Sequence, residues 1–153
     1  MDIGDLLADD GVVLRGASSK RQALHLVADV AAEALGLTTE RVLEALLERE
    51  ALGSTGLGSG VAVPHARVPG LTRVTGVFVR LDAPVAYGSV DDQPVDLMFA
   101  LFAPPAAGAE HLRALAAVSR ALRSSEMRER LRQAHTADAI RALFVRDTAP
   151  AAA

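Results

Sequence analysis

The chain has 153 residues, half of them apolar, and a formal net charge of −3. That length and apolar share suit one domain whose core needs no staples. The charge speaks against nucleic acid as a partner. The absence of cysteine excludes disulfides, thiolate nucleophiles and cysteine-bound zinc.

Met1-Asp2-Ile3-Gly4-Asp5 lacks the basic stretch and apolar run of a secretory signal. Ile3 to Leu7 fits one helical turn, and Val12-Val13-Leu14 reads as a short strand closed by Gly16. Ser19-Lys20-Arg21-Gln22 has the form of a capping box, with Gln22 reaching back to the cap. Leu24, Val27, Ala31 and Ala34 then recur at helical spacing, and Gly36 is a stop. Thr38 can cap a second helix that runs to about Glu50.

Gly53, Gly56, Gly58 and Gly60 crowd the next segment, a density that predicts a loop without helix or strand. Val61-Ala62-Val63 reads as a short strand ending at Pro64-His65. Val74 to Leu81 and Val95 to Ala103 are the strongest strands, the second apolar almost throughout, as for a strand covered on both faces. Helices are predicted from about Ala109, from Ser124 or Ser125, and from a Thr136 cap through Phe144. The expected layout is α/β: a mixed β-sheet sandwiched between helices, one domain over 1–147 and a frayed tail over 148–153. Leu97 to Ala107, the longest nearly unbroken apolar run, is too short to span a bilayer. A cytoplasmic protein without direct membrane insertion is expected.

The glycine loop is not a dinucleotide fingerprint, because a helix precedes it and a strand follows. A phosphate-binding Gly-Lys-Ser/Thr is missing too, and Lys20 is the only lysine. The loop is either a tight connection without a ligand or an amide-rich anion cradle helped by the hydroxyls of Ser54 and Thr55. Of the four histidines, His25 within the first long helix has a structural or surface reading, and His135 sits in a turn. His65 lies at a strand end just past the loop, where α/β proteins place working groups. His111 falls in the first turn of a helix, an end that suits an anion. Arg49 ends the helix before the loop; it compensates that helix terminus, and its planar fork also matches phosphate oxygens. No carboxylate has an obvious role. The histidine spacing does not suit zinc, and no Gly-x-Ser-x-Gly elbow is present for a serine hydrolase. Phosphoryl transfer to an imidazole fits, since neutral histidine is a competent nucleophile and the transferring group needs mainly positioning and charge stabilisation. Arg113, Arg120, Arg123, Arg128, Arg130 and Arg132 gather late in the chain, as a solvated helix face or as a docking patch for an acidic partner.

The run Arg49-Glu50-Ala51-Leu52-Gly53-Ser54-Thr55-Gly56-Leu57-Gly58-Ser59-Gly60-Val61-Ala62-Val63-Pro64-His65 resembles the active-site signature of the enzyme IIA proteins of the phosphotransferase system, fructose/mannitol superfamily. Asp92 to Leu101 and His111-Leu112-Arg113-Ala114-Leu115 are similar to later segments of that family. The resemblance covers Leu6 to Phe144 and is strongest to the nitrogen-regulatory enzyme IIA. It implies the mannitol-type enzyme IIA fold and phosphorylation of His65 by a histidine-containing phosphocarrier protein. It implies that Arg49 and His111 lie beside the phosphoryl group, with Ser54 and Thr55 in the phosphoryl-binding loop, and no metal or organic cofactor. The output it implies is phosphorylation-dependent regulation of target proteins. The alternative is a sugar-specific enzyme IIA that passes the group to an enzyme IIB for uptake. Leu57 and Val68, which flank the motif, are the expected apolar partner surface.

Overall fold

The computed structural model describes residues 1–148. In chain order it contains α1 (Ile3–Leu6), β1 (Leu7–Arg15), α2 (Lys20–Leu35), α3 (Thr39–Ala51), β2 (Gly56–Gly58), β3 (Val61–Ala62), β4 (His65–Arg67), β5 (Thr75–Val85), β6 (Val95–Ala103), α4 (Gly108–Leu122), α5 (Ser125–Gln133) and α6 (Ala137–Thr148). The expected tail lies outside the described residues apart from Thr148, which closes α6. Among the described residues no helix is long and apolar enough to cross a membrane.

The strands form one mixed sheet in the order β1-β5-β6-β3-β2, with β4 also paired to β6. β5 and β6 run antiparallel, whereas β1 lies parallel to β5, and β3 and β4 lie parallel to β6. Alternation along β6 divides its side chains between two cores. Leu97, Phe99, Leu101 and Ala103 pack with α1, α4, α5 and α6; Met98, Ala100 and Phe102 pack with α2 and α3. Three of the four phenylalanines lie on the first side. Phe78, Phe99 and Phe144 meet edge to face, with centroids 5.0 to 6.1 Å apart. Such a pair adds about 0.5–1.5 kcal/mol beyond area burial.

Local chemistry sets the element boundaries. Ser19 caps α2 by accepting from the Gln22 amide at 3.1 Å, but Gln22 Oε1 accepts from the amide and hydroxyl of Ser18 rather than from Ser19. The box therefore closes one residue earlier than predicted. Gly36 ends α2 in the left-handed region, at φ 70°. Ser124 and Thr136 cap α5 and α6 as expected, while Thr38 precedes α3 without a side-chain cap bond. β1 begins five residues before Val12. The added length holds a register shift between Leu7 and Val12, and Asp10 within it has φ 59°.

Two further boundaries differ near the glycine loop. The loop contains a strand after all: β2 and β3 form a minute hairpin around Ser59 and Gly60. Both residues have positive φ, 57° and 80°, as a two-residue hairpin turn requires. Arg132 fixes this turn from α5, donating to Ser59 O at 2.8 Å and holding the Asp96 carboxylate with two nitrogens. Pro64 then interrupts the next strand because it has no amide to donate. His65 consequently begins β4, in register with Leu101, rather than ending the strand before it.

Candidate functional site

His65 sits where the broken strand resumes, half-buried against β6. Its Nδ1 lies 2.9 Å from Val63 O. A carbonyl can only accept, so Nδ1 carries the proton and Nε2 keeps its lone pair. The other side of the ring agrees: Arg49 donates its Nε–H to His65 Nε2 at 3.2 Å. Arg49 reaches there from the last turn of α3, and its Nη1 donates to Gly53 O at 2.8 Å. His111 approaches from the first turn of α4, with its ring centroid 5.5 Å from that of His65. It is only 5 % exposed, and its Nδ1 has no hydrogen-bond partner among the described residues.

The three predicted residues Arg49, His65 and His111 thus converge. They line one open cavity of about 480 Å³ together with Ala45, Ala66, Arg67 and Leu115. Leu52 and Leu112 stand at its rim, 84 % and 66 % exposed. The loop hydroxyls point to other work. Ser54 Oγ accepts from the Gly56 amide at 3.1 Å and donates to Tyr87 O at 3.4 Å. Thr55 is buried, and its hydroxyl donates to the Glu50 carboxylate. Neither is hydrogen-bonded to His65, Arg49 or His111.

The expected partner surface also needs correction. Val68 is 4 % exposed and belongs to the core between the sheet and α2–α3. Leu57 is exposed but lines a different cleft, with Ser119, Arg123 and Arg128. Sequence distance from His65 was a poor guide, because alternate strand residues face opposite ways. Leu52 and Leu112 hold the rim position instead. Nothing in the sequence set them apart beyond their place inside the two matched segments. The late arginines are partly structural: Arg128 donates to the carbonyls of Leu122 and Arg123, and Arg130 pairs with Glu126 at 2.7 Å.

Burial is the main cause that lowers the pKa of His65 below 6.5; the Arg49 charge adds to it, and the Val63 bond and Glu50 oppose it. His111 is lowered too, first by burial, then by His65 and Arg67. Both rings are therefore neutral at pH 7, and Nε2 is the unprotonated nitrogen of His65. In a ring-proton titration by NMR, both should change charge below pH 6.5. The unfolded chain binds these protons more readily than the fold does. Stability should therefore rise with pH across the window from the lowered values up to 6.5 and level off above it. Midpoints above 6.5 would contradict this electrostatic picture.

One group escaped sequence reasoning. Glu50, the residue after Arg49, has a side chain only 6 % exposed. It accepts from the Thr55 amide and hydroxyl, from Tyr87 OH at 2.9 Å and from Lys20 Nζ at 2.9 Å. Burial pushes its pKa up, but the donors from Thr55, Lys20 and Tyr87 together outweigh that and hold it below the ordinary value.

Comparison with known proteins shows the family and the fold. The family model for the phosphoenolpyruvate-dependent sugar phosphotransferase system, EIIA 2, matches residues 6–146. A nitrogen regulatory protein of Bradyrhizobium diazoefficiens is 44 % identical over 153 residues, covering 99 % of this chain and all of that one. The crystal structure of the nitrogen regulatory protein IIA-Ntr from Neisseria meningitidis superposes with a TM-score of 0.86 at 36 % identity, over 93 % of this chain and 98 % of that chain. The IIA mannitol structure from Escherichia coli, at 24 % identity and a TM-score of 0.74, covers 88 % of this chain and 96 % of its own, and shares the fold.

Proposed function

The chain belongs to the EIIA 2 family of the phosphoenolpyruvate-dependent sugar phosphotransferase system, and from that premise we propose that it accepts a phosphoryl group on Nε2 of His65 from a histidine-containing phosphocarrier protein. The observation that carries this reading is the pair of bonds on the His65 ring. Nδ1–H is committed to Val63 O, so the only lone pair is Nε2, facing an open cavity beside a guanidinium. In the transfer, that lone pair forms a bond to phosphorus while the bond from phosphorus to the donor's imidazole nitrogen breaks. The bonding electrons return to the donor ring. Positive charge spreads into the His65 ring as the new bond forms, and the Val63 carbonyl stabilises it through Nδ1–H.

Arg49 must move for this to happen, because its Nε–H occupies the lone pair in the resting protein. The guanidinium slides from Nε2 onto the phosphoryl oxygens, which its planar fork suits. It thereby exchanges one hydrogen bond for charge-assisted ones. His111, whose Nδ1 has no partner among the described residues and whose ring is tilted 58° to that of His65, offers a second group beside the incoming anion.

The output we assign is regulation: the protein works in the cytoplasm and binds target proteins in one phosphorylation state. The nitrogen regulatory relative matches along the whole chain, whereas the likeness to IIA mannitol supports the fold alone. The switch is physical. Phosphorylation adds about −1.5 to −2 charge to a cavity rimmed by Leu52 and Leu112. A target that covers those leucines around neutral His65 would have to bury a dianion after phosphorylation, which is unfavourable. Affinity capture with the phosphorylated and unphosphorylated forms tests this. Targets retained by the unphosphorylated form and released on phosphorylation are expected. Rapid transfer to a sugar-linked enzyme IIB, with no state-dependent target, would replace regulation by the transport reading.

A further inference from the structure

We propose that Glu50 is a positioning residue for His65, the anchor from which both ring nitrogens are held so that Nε2 is the nucleophile. The proposal rests on the phosphoryl-acceptor reading above and adds to it how the ring is kept ready.

The argument begins at the C-terminal end of α3. Arg49 and Glu50 are consecutive, so about 100° of helix separates their side chains. One is sent to His65 and the other to the glycine loop. Glu50 is a nearly buried charge, and such a group persists only when its acceptor sites are filled. Its donors come from three other parts of the chain. Lys20, the sole lysine, supplies a cation from the first turn of α2. That ammonium also stands 4.3 Å from the centroid of the Tyr87 ring. Tyr87, which follows β5, supplies its hydroxyl, and Thr55 supplies both amide and hydroxyl from the loop. The Thr55 and Tyr87 hydroxyl oxygens lie 3.0 Å from each other.

Two routes lead from this cluster to the two ring nitrogens. Thr55 O accepts from Val63 N at 3.0 Å, and Val63 O accepts from His65 Nδ1 at 2.9 Å. Fixing Thr55 thus fixes the peptide that sets the tautomer. The second route is covalent, from Glu50 to Arg49, whose Nε–H reaches Nε2. A carboxylate with a purely local role would not need to be tied to both.

Glu50→Gln keeps the size of the side chain but places an amide donor where the cluster supplies only donors. Tyr87→Phe removes a single donor and leaves the ring packed. Nitrogen-15 spectra of labelled histidine report the tautomer of His65 before any reaction. Single-turnover transfer from a purified phosphohistidine carrier protein then separates the rate at saturation from the donor concentration needed for half of it. Backbone amide spectra of β1 and α6 verify the fold.

Wild-type His65 should show Nδ1–H with an unprotonated Nε2. The two variants should show mixed tautomers and a saturating rate lower by about tenfold, as slight misplacement of reacting groups produces, with the half-saturating donor concentration unchanged. An unaltered His65 spectrum, or an unaltered saturating rate, in folded Glu50→Gln would overturn the proposal. If that variant does not fold, the same two readings on Tyr87→Phe decide it. Should the wild-type protein itself accept no phosphoryl group, the functional reading fails, and the ring spectra alone then decide whether Glu50 positions His65.

Discussion

His65→Ala should abolish phosphoryl labelling: with a phosphohistidine carrier as donor, the wild-type protein is expected to gain one phosphoryl group and the variant none. His65 is the histidine whose Nδ1–H is committed to a carbonyl and whose Nε2 faces the open cavity beside Arg49. His25 lies on the exposed face of α2, paired with Asp29 at 3.1 Å, and His135 stands in the turn before α6. His111 is neighbour to the reaction but almost wholly buried. The linkage should be acid-labile and base-stable, as a phosphoramidate is. The substitution removes the Nδ1 bond to Val63 O and the Nε2 bond from Arg49, each contributing about 0.5–1.5 kcal/mol, so the protein should stay folded. Intact-protein mass before and after incubation gives the answer. Stoichiometric phosphorylation of a folded His65→Ala protein would show that the acceptor lies elsewhere.

The sequence made the site legible to the extent that its chemistry is local. A glycine loop, an arginine just before it and a histidine just after it lie within one short run, and His111 carries its own signal at a helix start. The sheet was legible through β6, whose apolar run from Leu97 to Ala103 leaves no other place than the centre. What depends on long-range pairing was not. Pro64 looks like the end of a strand, yet β6 offers a continuous edge on which β4 resumes. β1 starts at Leu7 rather than at Val12, because pairing with β5 carries the strand across a register shift that the local pattern does not show. Glu50 reads as an ordinary helical glutamate because its partners Lys20 and Tyr87 are distant in sequence, and only the fold gathers them. Val68 is core and Leu112 rims the site for the same reason: which apolar side chains cover a site follows from packing, not from distance along the chain.

Arg49→Ala should leave a folded protein that accepts the phosphoryl group about a hundredfold more slowly, since removing one well-placed donor costs ~3 kcal/mol of transition-state stabilisation. Two effects are superposed, and pH separates them. The Arg49 charge helps to hold the His65 pKa down, so its loss moves the acid limb of the rate profile to higher pH. At a pH well above 6.5, His65 is neutral in both proteins, and the remaining deficit measures the arginine's work on the phosphoryl oxygens. Arg49→Lys refines the comparison, because lysine restores the charge as a point but not the planar fork. It should therefore recover the position of the acid limb better than the rate. The bond from Nη1 to Gly53 O also disappears in both variants, so a defect due only to a loosened loop would be the same for alanine and lysine at every pH. Wild-type rates at alkaline pH in Arg49→Ala would mean that the guanidinium serves the resting histidine and not the group in transit.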